Sequence, residues 1–343
     1  MRTAHSFGLM AGLATLALSA TPSLAQDLTE FRFGTNWVAQ AEHGGYYQSV
    51  ADGTYEEMCS LDVTIVPGGP QVNGRALMLA GRLEAYMGGN MLQPWLGLAE
   101  DIPIVVVAAN FQKEPQVLMT HPGRVSEFAE IGTEDMTAIV GDGSFQTWYQ
   151  IFVNEYGFKD ENRAVYTFNS APFIADEDSA QQGYVTSEPY AIEQETGWKP
   201  DIWLLADYGF TSYSTTIEML KPYVEENTET VQCFVDATAI GWYNYLYGDN
   251  AAANVKIKED NPDMTDGQIE FSIAALKEYG IVDSGDALTL GINAMDDARM
   301  KAFYQSMVDV GVVPGDIDPA EAYTLEFVNK GVGLDLRKEL TGE

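Results

Sequence analysis

Residues suited to metal binding and covalent chemistry are scarce in this chain of 343 residues. It has two cysteines, Cys59 and Cys233, and three histidines, of which His43 and His121 stand far apart. Neither cysteine has a second Cys or a His at the spacing of a zinc site, so we expect no metal and no cofactor. The sequence also lacks a Gly-x-Ser-x-Gly elbow, a phosphate-binding Gly-x-x-x-x-Gly-Lys loop and a metalloprotease helix motif. No motif therefore points to an enzyme.

Positive charge is scarce as well. The chain has 18 Lys and Arg residues against 51 Asp and Glu residues, which gives a formal net charge of −33. A surface of this kind repels nucleic acids and anionic lipids, so neither is expected as a partner. The charge also works against a strongly anionic ligand, and it is consistent with solvation in a salty habitat.

The two cysteines have two interpretations. In an oxidising compartment, Cys59 and Cys233 could form a structural disulfide. Alternatively, they are two separate buried thiols that pack as small hydrophobic side chains. The sequence leaves both open.

Long apolar runs are confined to the N-terminus. Arg2 precedes an apolar run over residues 7–20, and Ser23-Leu24-Ala25 supplies the small residues of a signal-peptidase site. We predict that residues 1–25 are a signal peptide, cleaved near Ala25, and that the protein is periplasmic. An uncleaved membrane anchor is the alternative. No later segment is long and apolar enough to cross a membrane.

The remaining sequence alternates short strands with helices. Strands are predicted over 31–33, 61–66, 84–87 and 104–109, then over 116–119, 138–140 and 183–186, with helices at 45–58, 72–80 and 145–156. From about residue 213 onward the pattern is predominantly helical. We therefore predict an α/β protein with two lobes, each a mainly parallel sheet flanked by helices. Lobe 1 comprises residues 26–110 and 210–343, and lobe 2 comprises 111–209, which predicts a cleft and a hinge near residues 110 and 210.

Candidate ligand residues in lobe 1 follow the strands, because ligands of such sheets bind beyond the carboxyl ends of the strands. Trp37 and Tyr46 could stack on a flat ring, and His43 could hydrogen-bond a ligand. Alternatively, Tyr46 or Tyr47 packs in the core and His43 caps the turn. The candidates from this lobe are Asn36, Trp37, His43, Tyr46, Gly69, Asn90 and Trp95.

Lobe 2 contributes three further candidates. Ser144 follows a predicted strand at the start of a helix, where its hydroxyl could reach a ligand or simply cap the helix. Trp148 lies one turn further on and faces either the cleft or the core. Glu188 follows the strand at 183–186, where a carboxylate could accept hydrogen bonds from an amine, or could lie in a surface turn.

Several of these segments resemble one family when taken together. The sequences Asn36-Trp37, His43-Gly44-Gly45-Tyr46-Tyr47, the run at 61–69 and Ser187-Glu188-Pro189 are similar to the NMT1/THI5-like periplasmic binding proteins of ABC importers. That family is related to binders of sulfonates, taurine and nitrate, and the resemblance covers most of the chain after residue 25. It implies a type II-like periplasmic binding protein fold and a monomer that delivers a small molecule to an inner-membrane permease.

Within the family, one branch binds thiamine pyrimidine precursors. The pair Asn36-Trp37, with His43 six residues after the Trp, resembles the pattern of that branch. This resemblance implies ring stacking by Trp37 and Tyr46, with Glu188 as a partner of the ring amino group. Riboflavin or another flat heterocycle is an alternative ligand. An alkanesulfonate, taurine or nitrate is another, and an Arg or Lys in the cleft would favour it. An exported pyrimidine-processing enzyme, which would turn its ligand over, and the ligand sensor of a signalling system are rivals of other classes.

Overall fold

The fold contains two five-stranded sheets flanked by helices. The computed structural model describes Met1 and residues 28–342, so the predicted signal segment lies outside the described residues apart from Met1. Among the helices of residues 28–342, none is both long enough and apolar enough to span a bilayer.

Ten strands build the two sheets. They are β1 (Thr29–Gly34), β2 (Leu61–Val66), β3 (Ala85–Asn90), β4 (Ile104–Phe111), β5 (Gln116–Thr120), β6 (Thr137–Val140), β7 (Arg163–Val165), β8 (Ser179–Tyr184), β9 (Asp201–Leu204) and β10 (Ser214–Leu220). The first sheet has the order β2-β1-β3-β10-β4, and the second has the order β7-β6-β8-β5-β9.

Each sheet is mainly parallel, as predicted. In the first, β10 pairs antiparallel with β3 and β4, while β1 pairs parallel with β2 and β3. In the second, β5 is the antiparallel strand, between β8 and β9. All eight residues of β4 are buried. A continuous apolar run of this kind is typical of a strand covered on both faces.

Sixteen helices within residues 28–342 cover the sheets. They are α1 (Gly44–Ala51), α2 (Thr54–Cys59), α3 (Gly74–Leu79), α4 (Leu92–Ala99), α5 (Phe128–Thr133), α6 (Asp142–Phe145), α7 (Trp148–Glu155), α8 (Ala171–Ala175), α9 (Glu188–Thr196), α10 (Lys221–Glu226), α11 (Thr228–Tyr247), α12 (Ala251–Asp260), α13 (Asp266–Glu278), α14 (Ala287–Leu290), α15 (Asp297–Asp309) and α16 (Leu334–Thr341). Short 3-10 turns cover Ala41–His43, Asp160–Asn162, Leu205–Tyr208 and Pro319–Ala322.

Two sequence-based elements differ from the structure. The helix predicted over 45–58 is divided into α1 and α2, because Gly53 takes a left-handed φ of 77°. The region after residue 213 begins with the strand β10 rather than a helix. Its sequence is polar for a central strand, and its buried Glu218 is neutralised by Arg75, whose Nη2 lies 2.6 Å from Glu218 Oε1. That long-range ion pair leaves no local pattern in the sequence.

Cys59 and Cys233 form a disulfide, the first of the two interpretations that the sequence left open. The bond joins the end of α2 to α11. Helix α11 is also held by close packing against α1. A Cβ on Gly45 would lie 2.3 Å from the Trp242 ring. The glycines of His43-Gly44-Gly45 therefore allow the close approach of the two helices and fix the position of His43.

Candidate functional site

A cavity of about 290 Å³ lies between the two sheets. Its lining comes from the ends of β3 and β8, the loop after β1, the start of the antiparallel strands β5 and β10, and the segments that follow β6 and β7. These places share one edge of each sheet, which is where ligands bind in open α/β sheets. The volume is close to the lower end of the range of roughly 300–1,000 Å³ for ligand pockets, so it suits a single-ring molecule.

The lining combines aromatic rings with hydrogen-bonding groups. Aromatic rings come from Trp37, Phe111, Tyr166, Phe168 and Tyr184, and neutral polar groups from Asn36, Gln40, Gln116, Ser144, Gln182, Ser187, Ser214 and Thr215. The ionisable residues are Glu42, His43 and Glu188. Within residues 28–342, no Lys or Arg side chain lines the cavity. An apolar wall with a few placed polar groups is typical of a small-molecule site.

The two sheets are in contact across the cavity. The Trp37 ring, after β1, lies 5.4 Å from the Phe168 ring, after β7, measured between centroids. The Thr186 hydroxyl donates a hydrogen bond to the Glu42 carboxylate. Ser272 Oγ of α13 donates to the carbonyl of Thr186 at 2.6 Å. The two lobes are therefore in contact at several points around the cavity.

Phe168 has an unusual conformation for a residue at the cavity mouth. Its φ is 60° and its side chain is 67% exposed. Non-glycine residues rarely occupy this left-handed region, and such strain is concentrated at functional sites. Phe168 contacts both Trp37 and Tyr166, so its ring covers one side of the opening.

Glu188 begins α9 and faces the cavity. The backbone N–H of Tyr184 donates to its Oε2 at 2.8 Å, and the Tyr166 hydroxyl donates to its Oε1 at 3.3 Å. Desolvation by burial raises the pKa of the carboxyl, and these hydrogen bonds act in the opposite direction.

His43 ends the 3-10 turn before α1 and is fully buried. Among the described residues 28–342, no group pairs with either of its ring nitrogens. Desolvation lowers the pKa of the imidazole to about 3, so the ring is neutral at neutral pH. A neutral imidazole offers one N–H donor and one acceptor.

Gln116 is held by a network that includes two of the candidates. Its Oε1 accepts from Trp148 Nε1 at 2.6 Å and from the Ser144 hydroxyl at 3.4 Å. Its Nε2 donates to Glu114 Oε1 at 3.2 Å, and Asn90 Nδ2 donates to Glu114 Oε2 at 3.4 Å. Glu114 lies just behind the lining, and burial raises its pKa to about 7.

Five of the ten sequence-based candidates line the cavity, namely Asn36, Trp37, His43, Ser144 and Glu188. Trp148 and Asn90 lie behind the lining, where they support Gln116 and Glu114 respectively. Gly69 is next to Gly68, whose backbone N–H donates a hydrogen bond to the Trp37 carbonyl and so holds the loop that carries Trp37.

Tyr46 and Trp95 are placed in the core rather than in the cavity. Tyr46 donates its hydroxyl to Asn110 and packs 4.3 Å from the Phe33 ring. Trp95 is fully buried, and its indole N–H donates to the Pro319 carbonyl at 3.2 Å. Tyr46 packs against β1, whereas Trp95 packs against the rings of Phe303 and Tyr304 in α15. The stacking role given to Tyr46 therefore does not fit its position.

Sequence reasoning missed most of the other lining residues, among them Glu42, Tyr166, Phe168 and Thr215. Glu42 is 3% exposed and touches Thr186 from the other sheet, a pairing that is set by tertiary structure alone. Thr215 belongs to the unpredicted strand β10. The sequence offered one clue to Glu42, which is its position directly before the candidate His43. In the part of the chain that the structure describes, no three His, Cys, Asp or Glu residues converge in a way that could hold a metal ion.

The two sheets with a small-molecule cavity between them define a two-lobed binding protein fold. The NMT1/THI5-like family model matches residues 40–253, and the chain belongs to this family. By sequence, no curated protein matches the chain.

Solved structures share the fold at low identity. A putative periplasmic sulfonate-binding protein of an ABC transporter from Methylobacillus flagellatus KT is 15% identical, covering 92% of this chain and 96% of that one, with a TM-score of 0.60. The periplasmic nitrate-binding protein of Synechocystis PCC 6803 is 10% identical over 91% and 90%, with a TM-score of 0.60. A desulfurization enzyme is 12% identical over 89% and 99%, with a TM-score of 0.54. These similarities establish the fold and not the ligand.

Proposed function

We propose that this protein is the solute-binding component of an ABC importer and binds a small aromatic nitrogen heterocycle, with a thiamine pyrimidine precursor as the leading ligand. The observation that carries the proposal is the cavity between the sheets, which combines the Trp37 ring with the Glu188 carboxylate and has a volume of about 290 Å³. A flat amine-bearing ring fits between an aromatic wall and a hydrogen-bond acceptor.

The charge of the cavity distinguishes this ligand class from the anions bound by fold relatives. A sulfonate or nitrate site needs cationic or strongly donating groups to offset the ligand's charge. The lining residues within 28–342 include Glu42 and Glu188 but no Lys or Arg. Two carboxylates beside the ligand would repel an anion, so a neutral or basic heterocycle is favoured.

Location and partners follow from the same proposal. We propose that residues 1–25 direct export to the periplasm and that the monomeric protein delivers its ligand to an inner-membrane permease. Lobe boundaries and a hinge near residues 110 and 210 are supported by the chain path, which passes between the sheets at 112–115 and 205–213. A hinge at these two passages would let the cleft open and close.

A thermal-shift screen of the ligand-stripped protein tests the proposal. The panel contains aminopyrimidines, thiamine, riboflavin, taurine, alkanesulfonates and nitrate. We expect a saturable rise in melting temperature with an aminopyrimidine, because a ligand that binds only the folded state stabilises it. Trp37→Ala should lower the affinity for that ligand by at least about tenfold, because ring stacking is lost. Trp37→Phe should keep most of the rise in melting temperature, because it retains an aromatic ring. Shifts with sulfonates or nitrate alone would refute the aromatic ligand.

Phe168 should control how fast the ligand leaves. Phe168→Ala removes the ring that meets Trp37 across the cleft, a contact worth about 0.5–1.5 kcal/mol, so we expect dissociation to be about 2- to 10-fold faster. Stopped-flow tryptophan fluorescence measures the rate. Val165→Ala is the matched control, because Val165 is also exposed and lies three residues earlier. An unchanged rate in Phe168→Ala would show that the ring does not close the cleft.

A further inference from the structure

Three carboxylates surround the cavity without a cationic partner. Glu42 and Glu114 are 3% and 0% exposed, and Glu188 faces the cavity from the start of α9. The ion pairs found among residues 28–342 include none of the three. Buried carboxylates without a counterion are costly, so this arrangement calls for an explanation.

Elsewhere the same fold neutralises its buried carboxylates. Glu218, fully buried in β10, accepts two hydrogen bonds from Arg75, at 2.8 Å from Nε and 2.6 Å from Nη2. Asp283 has a side chain that is 2% exposed, and it pairs with Arg337 at 2.7 Å. Among residues 28–342, the buried glutamates without a cationic partner are therefore those beside this cavity.

Within residues 28–342, the donors recorded for the cavity carboxylates are all neutral. Glu42 accepts from the Thr186 hydroxyl, and Glu188 accepts from the Tyr184 N–H and the Tyr166 hydroxyl. Glu114 accepts from two side-chain amides. Such donors satisfy oxygen lone pairs but leave the negative charge unbalanced.

The carboxylates also repel one another. The charge on Glu188 raises the pKa of Glu42, and all three carboxylates raise the pKa of Tyr184, which lies between them. Desolvation is the larger cause for each residue. A positive charge placed among these groups would offset both effects and would favour the ionised carboxylates.

The ring of His43 is a second, independent feature that points to a ligand in this cavity. It lines the cavity, is fully buried, and has neither ring nitrogen paired among residues 28–342. Its low pKa keeps it neutral, so it supplies no counter-charge to Glu42. A ligand N–H would satisfy the acceptor nitrogen, which otherwise has no partner.

The aromatic walls suit the same class of ligand. Trp37, Tyr166, Phe168 and Tyr184 surround the space in front of Glu188. The faces of aromatic rings carry partial negative charge and attract cations within about 6 Å. Flat organic cations are held well by such a combination of rings and carboxylates.

We propose that the ligand binds as a flat organic cation of the amidinium type, in which a protonated N–C–N unit faces the carboxylates of Glu42 and Glu188 while His43 accepts an N–H. An aminopyrimidine protonated on its ring contains this unit. The proposal rests on the binding function proposed above and specifies the charge of its ligand. The net charge of −33 acts in the same direction, since it attracts cations to the protein.

Matched probes test the charge of the ligand directly. Benzamidine is an amidinium cation at neutral pH, benzamide is its neutral counterpart, and benzenesulfonate is an anion of similar size. We expect calorimetric titration of the ligand-stripped protein to show benzamidinium binding at least about tenfold more tightly than benzamide, with no binding of benzenesulfonate. Higher salt should lower only the part of the preference that comes from the acidic surface, because exposed charges are screened and buried ones much less so.

Two variants assign the preference to the site. Glu188→Gln should reduce the ratio of benzamidinium to benzamide affinity to within about threefold, because the neutral amide keeps the shape and loses the charge. Glu195→Gln removes the same charge from an exposed position on α9 and should leave the ratio unchanged.

The outcomes separate this proposal from the function on which it rests. Equal binding of benzamidinium and benzamide, tighter binding of benzamide or benzenesulfonate, or no binding of benzamidinium would overturn the cation proposal. If aminopyrimidines still raise the melting temperature in those cases, the binding function stands and only the charge of the ligand is refuted. If no aromatic compound binds, both fail.

Discussion

Replacing Glu188 by Gln should weaken binding of the aminopyrimidine ligand by roughly 30-fold or more. Glu188 lines the cavity, and its two recorded donors are neutral, so its carboxylate can also accept ligand N–H groups. Removing one partner of a desolvated, hydrogen-bonded charge pair costs about 2–5 kcal/mol, and 1.4 kcal/mol corresponds to a factor of ten. The loss should appear mainly as faster dissociation.

Calorimetric titration of both proteins with the same aminopyrimidine measures this effect. Glu195→Gln lies on the same helix, is exposed, and should bind as the parent protein does. Glu188→Gln is nearly isosteric, and burial raises the pKa of Glu188, so loss of its charge should keep or raise the melting temperature of the ligand-free protein. Weaker binding would then not be explained by unfolding. Unchanged affinity in Glu188→Gln would remove this carboxylate from the site.

Replacing Glu114 by Gln should stabilise the ligand-free protein at high pH. Burial raises the pKa of Glu114 to about 7 in the folded protein, against 4.5 for a solvent-exposed glutamate. The folded state therefore holds the proton more tightly than the unfolded chain does, so the stabilisation is complete below about pH 4.5 and is lost as the pH rises through about 7. Between pH 5 and pH 8 the loss is about 2–3 kcal/mol of unfolding free energy.

Urea denaturation of the parent and Glu114→Gln at pH 5 and pH 8 tests this prediction. Glu42 and Glu188 also have raised pKa values and titrate in the same direction, but they are present in both proteins and cancel in the difference. The stability of Glu114→Gln relative to the parent should rise between the two pH values. A difference that does not depend on pH would show that Glu114 has an ordinary pKa.

The parts of the site that the sequence predicted follow from strand order. Parallel strands bring the residues after their carboxyl ends to one edge of each sheet, and these two edges face each other across the cavity. The loop at Asn36-Trp37 of the first sheet and Glu188 of the second therefore line the same cavity. The apolar runs of β2 and β4 are strong local signals, which is why their positions were predictable.

The missed parts depend on interactions that no local pattern records. Tyr46 and Trp95 sit on short helices whose apolar residues do not show which face covers the sheet, so their direction could not be inferred. Strand β10 was missed because Glu218 interrupts its apolar pattern, and the ion pair with the distant Arg75 makes the burial of Glu218 tolerable. Glu42 acquires its role through contact with Thr186 of the other sheet.

The most direct test of the central claim is calorimetric titration of the ligand-stripped protein with the tightest aminopyrimidine from the screen, followed by mass spectrometry of the released compound. We predict one saturable site per chain and recovery of the ligand unchanged. Saturable binding of an alkanesulfonate or nitrate in place of any heterocycle would contradict the assignment of the ligand. Recovery of a chemically altered ligand would contradict the assignment as a binding protein.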